Sequence, residues 1–328
     1  MAHLGLNLWP ISKTIDCFAR NRFAGRLAIL IYHRVRNDAD FLTPYDMVAD
    51  QFDWQMELLQ RYFNVISLHE CIDRLKNGEL PDRAVCITFD DGYSDQSDVA
   101  LPILQKYGHK AAFFVPTGYI NGGCMWNDVV IETIRNFKED TIDLTDIQMG
   151  VYPVGNVSDK RETIAKLLAI TKRYHPEKRG EVLSFLQGVI EIDVARDLMM
   201  GADKIRILAD AGMEIGSHTR THPILTSLDV DEARSEIVES KHALEKIINR
   251  PVRYFAYPNG KPYEDYMPEH VDIVRNAGFE AALSTAKGVV TASSDMFQLP
   301  RFTPWDSNPS KFILRLLSNY TETEPLVV

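Results

Sequence analysis

Asp90 and Asp91 stand side by side at the end of an apolar, β-branched run, Ala84 to Phe89, and Gly92 follows them directly. His218 and His222 follow a second such run, Met213-Glu-Ile-Gly-Ser217. Two imidazoles and one carboxylate hold a divalent metal through three ligands and leave a coordination position open for water. A second carboxylate beside them takes that water's proton. Each half is ordinary alone, since Asp-Asp-Gly makes surface turns and histidine pairs occur by chance. Together, each just past a strand-like run, they make metal-dependent hydrolysis the leading chemistry.

The backbone must bring these groups together. Adjacent side chains of a regular strand point to opposite faces, so both aspartates serve one site only where the strand breaks, and Gly92 supplies the break. Pro223 disfavours a helix through His222, which puts the histidine pair on a strand-end loop. Strand-like runs at residues 27–32, 65–68, 84–89, 111–115, 213–217, 254–257 and 281–284 alternate with helical patterns. That alternation predicts an α/β fold with a mainly parallel sheet. About seven parallel strands over this length fit a (β/α) barrel better than an open sheet. Barrel active sites lie at the C-terminal strand ends, where Asp90, Asp91, His218, His222 and His33 would all meet. The clearest helix runs from about Val230 to Asn249, with Asp229 to Glu232 as a capping box. Residues 118–200 or so read as a helical insertion on one barrel loop, suited to capping the substrate site or to an oligomer contact. The organisation is thus an N-terminal extension (1–26), a barrel (27–320) and a frayed tail (321–328).

A formal charge of −10 argues against a general nucleic-acid binder, whose affinity rests on phosphate neutralisation. The basic pairs Lys160-Arg161, Lys172-Arg173 and Lys178-Arg179 read as solvated helix faces. Cys17, Cys71, Cys86 and Cys124 form no CxxC pair, so neither a disulfide framework nor a thiolate metal site is expected. No run reaches the roughly 18 apolar residues of a membrane span, and the N-terminus lacks the basic flank of a signal peptide. The expectation is a cytoplasmic protein. Its segment 4–30 sets Leu4, Leu6, Leu8, Trp9, Phe18 and Phe23 beside Arg20, Arg22 and Arg26, a composition suited to a membrane surface.

Thr88-Phe-Asp-Asp-Gly92 and His218-Thr-Arg-Thr-His222 resemble the first two motifs of the polysaccharide deacetylases, the NodB-homology group or carbohydrate esterase family four. Arg253-Tyr-Phe-Ala-Tyr-Pro-Asn-Gly260 resembles the third, and the resemblance extends over most of residues 27–305. It implies a distorted (β/α) barrel that removes N-acetyl groups from amino sugars with a divalent metal, often zinc. By position it assigns Asp91, His218 and His222 as metal ligands and Asp90 as general base. The backbone N–H of Tyr93 would hold the tetrahedral oxyanion.

Two departures redirect the remaining roles. Many members carry an arginine in the third motif that orients the catalytic aspartate, where this chain has Ala256. Arg301, in Leu299-Pro-Arg-Phe302, is the candidate replacement, and Asp265 and Asp306 are further acids that it could pair with. Many members also end in a Leu-x-His motif whose histidine protonates the leaving amine, and here no histidine follows His270. Leu30-Ile-Tyr-His-Arg-Val35 instead resembles the amino-terminal motif of a rearranged subset that includes poly-N-acetylglucosamine deacetylases, which makes His33 the candidate acid. Tyr257, Pro258 and Asn259 are expected to shape the groove wall. Trp126, Trp305 and Tyr263 offer faces on which a sugar could stack. His3, His69, His109, His175, His242 and His270 are expected at the surface.

The expected reaction releases acetate and a free amine from an N-acetylated sugar, oligosaccharide or sugar conjugate. Two alternatives stay open: hydrolysis of another small C–N bond, a formamide or cyclic amide, and a catalytically inactive carbohydrate-binding relative. The intact Asp90, Asp91, His218 and His222 count against the second. The lack of a signal peptide favours a nucleotide- or lipid-linked sugar, or a soluble precursor, over finished cell-wall polymer.

Overall fold

The computed structural model describes residues 23–189, 198–322 and 325–328. Seven strands form one parallel sheet: β1 (Leu27–Tyr32), β2 (Asn64–Val65), β3 (Ala84–Phe89), β4 (Ala111–Val115), β5 (Glu214–Ser217), β6 (Tyr254–Ala256) and β7 (Ala281–Leu283). Their order is β1-β3-β4-β5-β6-β7, and β2 pairs with the start of β3. β3 is buried along its whole length, as a strand covered on both faces must be. The expected seven strands are all present.

Side-chain parity divides the core. Leu27, Ile29, Ala84, Cys86, Ala112, Phe114, Tyr254, Ala256, Ala281 and Leu283 make one cluster. Their neighbours Ala28, Leu30, Val85, Ile87, Ala111, Phe113 and Phe255 join a second with the surrounding helices. This is the alternation that a curled sheet covered by helices requires.

Closure is irregular. Among the described residues no regular strand joins β7 to β1, and the extended segment 299–302 fills the gap. Leu299 N–H donates to Ala282 O and Ser284 N–H to Leu299 O, both at 2.9 Å. On the other side Phe302 N–H donates to Ile29 O at 2.8 Å and Ile31 N–H to Phe302 O at 3.0 Å. A distorted (β/α) barrel results.

The barrel helices are α1 (Ala49–Tyr62), α2 (Leu68–Asn77), α3 (Leu101–Lys106), α7 (Ala202–Asp210), α8 (Val230–Ile248), α9 (Pro268–Asn276) and α10 (Pro309–Asn319). Ser67 caps α2 through the Glu70 N–H, and Gly78 ends it in the left-handed region. The Asp229–Glu232 capping box of α8 is present. A π-helical turn, Gln96–Ala100, leads into α3. None of the described helices is long and apolar enough to cross a membrane.

Between β4 and β5 the chain forms α4 (Trp126–Asn136), α5 (Val157–Thr171) and α6 (Pro176–Val189). An antiparallel hairpin, Thr141–Leu144 with Gly150–Pro153, lies between α4 and α5 and was not expected from sequence. These parts share their own core, in which Val130, Ile134, Ile142, Leu144, Ile164, Leu167, Val182 and Leu186 are buried. Residues 4–22 of the amphipathic segment 4–30 lie outside the described residues, as does Cys17, while Phe23, expected at a membrane surface, is buried in the barrel core against Tyr320. Cys71, Cys86 and Cys124 are buried free thiols.

Candidate metal and catalytic site

The site lies at the C-terminal ends of the strands. Thr88 and Asp90 share a parity, so Asp90 continues the inward-facing set of β3. Asp91 would point away in a regular strand, but its φ of +73° and the +68° of Gly92 turn the chain. Glycine suits position 92, where a Cβ would crowd Val115 Cγ1 at 3.0 Å and Pro116 Cδ at 3.3 Å in a left-handed backbone. Both carboxylates are thereby brought to one place.

His218 and His222 lie on the loop after β5. Thr219 and His222 take left-handed backbone, φ +64° and +54°. The loop is tied down from both sides. Thr117 N–H donates to Thr219 O at 3.2 Å and Gly118 N–H to Arg220 O at 2.7 Å. From α8, the Glu236 carboxylate accepts from Arg220 N–H at 2.8 Å, Thr221 N–H at 2.7 Å and Thr221 Oγ1 at 2.8 Å.

Asp91 Oδ1 lies 3.5 Å from His218 Nε2 and 3.4 Å from His222 Nε2. One ligand atom from each residue falls within a 4.8 Å cluster, and all three residues are buried. His218 Nδ1 is 2.7 Å from the carbonyl oxygen of Ala256. A carbonyl only accepts, so Nδ1 carries the proton and Nε2 presents its lone pair to the cluster. His222 Nδ1 is sealed from solvent without a partner among the described residues, and burial drives that ring's pKa down to about 4. A neutral imidazole is the form that binds a cation. The donor set fits a divalent metal.

Asp90 is held by Arg301. Nη1 and Nη2 of the arginine donate to Oδ1 and Oδ2, both at 2.7 Å, and Nε donates to Ser284 O at 2.9 Å. Arg301 is 1% exposed and Asp90 2%. Burial pushes the Asp90 carboxyl up, but the charge and hydrogen bonds of Arg301, together with the neighbouring imidazoles, outweigh it and hold the group below the usual carboxylate range. For Asp91 burial is likewise outweighed, by the His218 hydrogen bond and the surrounding imidazoles. Neither of the other acids considered for Arg301 reaches it: Asp306 pairs with Arg315, and Asp265 lies 3.8 Å from Lys172.

A cavity of about 320 Å³ opens beside the triad. The barrel contributes His33, Asp90, Asp91, His218, His222, Asn259 and Thr285 to its wall. The segment between β4 and β5 contributes Met125, Trp126, Asn127, Leu168, Ala169 and Lys172. His33 is solvent-exposed on this wall, and Gln96 Nε2 donates to its carbonyl at 2.7 Å and to that of Asp90. Tyr93 is buried beside Asp91 on the same loop.

Several expected wall residues lie elsewhere. Tyr257 is fully buried, stacked on Tyr266 at 4.0 Å, and its hydroxyl donates to Phe297 O. Its parity follows Phe255, which directs it to the helix layer. Pro258 is buried and absent from the cavity wall. Trp305 is 63% exposed, 5.1 Å from the Arg315 guanidinium, and Tyr263 is 53% exposed; neither lines the cavity. Nor are all the other histidines at the surface: His109 and His270 are buried, hydrogen-bonded to Met56 O and Met267 N–H. His3 lies outside the described residues.

The family model described as polysaccharide deacetylase matches residues 77–282. The chain belongs to the polysaccharide deacetylase family. Both His33 and Arg301 lie outside the matched span. Among curated relatives of the deacetylase, the poly-beta-1,6-N-acetyl-D-glucosamine N-deacetylase of Staphylococcus aureus is 24% identical over 247 residues, covering 67% of this chain and 81% of the relative. Among solved structures, the deacetylase PplD of Streptococcus pyogenes, in complex with acetate, superposes with a TM-score of 0.60 at 21% identity, over 89% of this chain and 97% of that one. IcaB of Ammonifex degensii gives 0.58 at 18% identity, over 90% and 97%. At these identities the structural matches establish the deacetylase's fold.

Sequence reasoning missed several contributors to the site, including Met125, Leu168, Ala169, Lys172 and Thr285 on the cavity wall. Gln96 sits on an unforeseen π turn, and Glu236 lies in mid-helix with no motif around it. Ala256 acts through its carbonyl, which no side chain announces. Asn127 follows Trp126 on α4 and had no distinguishing context.

Proposed function

We propose that the protein removes N-acetyl groups from an amino sugar, within an oligosaccharide, polysaccharide or sugar conjugate, releasing acetate and a free amine. The observation that carries this reading is the pairing of a three-ligand cluster with a second, separately anchored carboxylate. Asp91, His218 and His222 would hold a divalent cation, with zinc the ion suited to two imidazoles and one carboxylate. A cation there supplies Lewis acidity and makes water a better nucleophile at neutral pH.

The chain's own residues do the rest. Asp90, kept ionised and in one rotamer by Arg301, accepts the proton of the attacking water. The Tyr93 N–H points its dipole at the oxygen on which charge develops. His33, on the wall of the same cavity, protonates the departing nitrogen, a step that amides require because the unprotonated amine leaves poorly. The wall formed by Met125, Trp126, Asn127, Leu168 and Ala169 would cover the sugar and exclude water.

The test is metal analysis of the purified protein, followed by an acetate-release screen over N-acetylated sugars, their oligomers and their conjugates. Stoichiometric metal and acetate release that stops on chelation and returns with zinc are the expected results. A metal-loaded protein that releases formate from formamides, and no acetate, would move the reading to the alternative C–N hydrolysis.

A further inference from the structure

The loop that carries Asp91 is gripped by residues that none of the three motifs contains. Tyr93, 3% exposed, turns its side chain toward α4. Its hydroxyl lies 3.2 and 3.3 Å from the two carboxylate oxygens of Asp128, and Asn127 Nδ2 donates to it at 3.2 Å. The Arg34 guanidinium lies 4.5 Å from the ring centroid and pairs with Asp95 at 2.7 Å. Asp128 is 5% exposed in the first turn of α4. On the opposite side Leu198 to Met200 bracket Tyr93. Ser94 N–H donates to Leu198 O and Met200 N–H to Gly92 O, both at 2.8 Å. Among the described residues the N–H of Tyr93 itself has no acceptor.

That free N–H belongs to the peptide plane between Gly92 and Tyr93. Glycine is the residue least able to hold such a plane in one orientation. One end of that plane is already held, since Gly92 O accepts from Met200 N–H at 2.8 Å. A tyrosine anchored at its hydroxyl tip restrains the other end, because the Cα that follows the plane can no longer shift and re-aim the N–H. Asp128 is the only acceptor among the described residues for that hydroxyl. A buried carboxyl is costly on a helix whose other buried residues, Trp126, Val129, Val130, Thr133 and Ile134, are mainly apolar.

We propose that Asp128 is a positioning residue for the reaction. By fixing the Tyr93 hydroxyl it fixes the direction of the Tyr93 N–H, so the segment between β4 and β5 sets the geometry of oxyanion binding. The consequence for rate rests on the deacetylase reading above; the structural clamp does not.

The experiment uses the full-length, metal-loaded protein and compares Asp128→Leu, Asp128→Asn, Tyr93→Phe and the Asp128→Leu/Tyr93→Phe double variant. Loss of one oriented oxyanion donor lowers kcat by roughly 10²- to 10³-fold, with KM and metal occupancy within about twofold of wild type. Asp128→Asn, which keeps an acceptor for the hydroxyl, restores most of kcat. Tyr93→Phe reproduces the Asp128→Leu loss, and the double variant is no worse than either. Wild-type kcat in Asp128→Leu, or losses that multiply in the double variant, would overturn the proposal. Hydrogen exchange across residues 90–95 is the readout independent of activity. It quickens in Asp128→Leu and stays at the wild-type rate in Asp128→Asn. Unchanged exchange in Asp128→Leu refutes the clamp. A wild-type protein that releases no acetate from any N-acetyl substrate refutes the deacetylase reading instead.

Discussion

Arg301 and Asp90 are 211 residues apart in sequence and meet through two 2.7 Å hydrogen bonds at the seam where the barrel closes. Removing one partner of a buried pair leaves an uncompensated charge, so Arg301→Ala should cost on the order of 3–5 kcal/mol of stability. Asp90 sits below the usual carboxylate range in the folded state. The pair's stabilisation is therefore complete at neutral pH and is lost only as pH falls through that depressed value. In Arg301→Ala the acid limb of the rate–pH profile moves to higher pH. Arg301→Lys keeps the charge without the two-pronged geometry and falls between. Denaturant melts and pH–rate profiles check all three.

Ligand substitutions act on occupancy. Asp91→Asn and His218→Ala should each lose bound metal by elemental analysis while keeping the circular dichroism of the folded barrel. Full occupancy in either variant removes that residue from the ligand set.

Glu236 touches no ligand atom, yet it accepts three hydrogen bonds from the loop between His218 and His222. Such outer partners typically contribute about 10- to 100-fold to metal affinity. Glu236→Ala should weaken zinc binding by that order in a chelator competition, with kcat near wild type once metal saturates. A wild-type affinity would show the loop to be self-supporting.

His33→Ala separates proton donation from attack. Acetate release from an N-acetyl sugar should fall roughly 10²- to 10⁴-fold. Hydrolysis of an activated aryl acetate, whose leaving group needs no proton, should fall far less. Equal losses on both substrates would assign His33 to binding.

Asp128 gives a signature in metal-free protein. Burial raises its pKa to about 7 against the opposing charge of Arg34. The folded state thus holds a proton that the unfolded chain, titrating near 3.9, has already lost. Stability should fall as pH rises from about 4 to 7 and level off above that, by up to about 4 kcal/mol for a shift of this size. Asp128→Asn should flatten the slope between about pH 4 and 7 in urea melts with chelator present. A slope equal to wild type would place the titration on another group.

The strands and four site residues were legible because strand, break and ligand are contiguous in sequence. Asp90 and Asp91 end an apolar run, and Gly92 marks the turn that lets both serve one place. Arg301 was reached through the absence of arginine at position 256, but the choice of its partner among the catalytic aspartate, Asp265 and Asp306 was not, because a pair 211 residues apart leaves no local trace. Tyr257 was misplaced for a physical reason: the strand parity that buries Phe255 also buries the residue two along, whatever the motif around it. The hairpin at Thr141–Leu144 alternates exposed and buried residues over only four positions, too short a period-two pattern to stand out among helices.

Segment 299–302 closes the barrel and carries Arg301 with it, and this gives the chain a sense of time. A polypeptide ending at Gln298 would contain all three motifs and every metal ligand, yet not the guanidinium that grips Asp90. As the chain leaves the ribosome, the three metal ligands therefore precede the residue that orients the base beside them. The two halves of the site are completed at different times, the second with the final seam of the barrel.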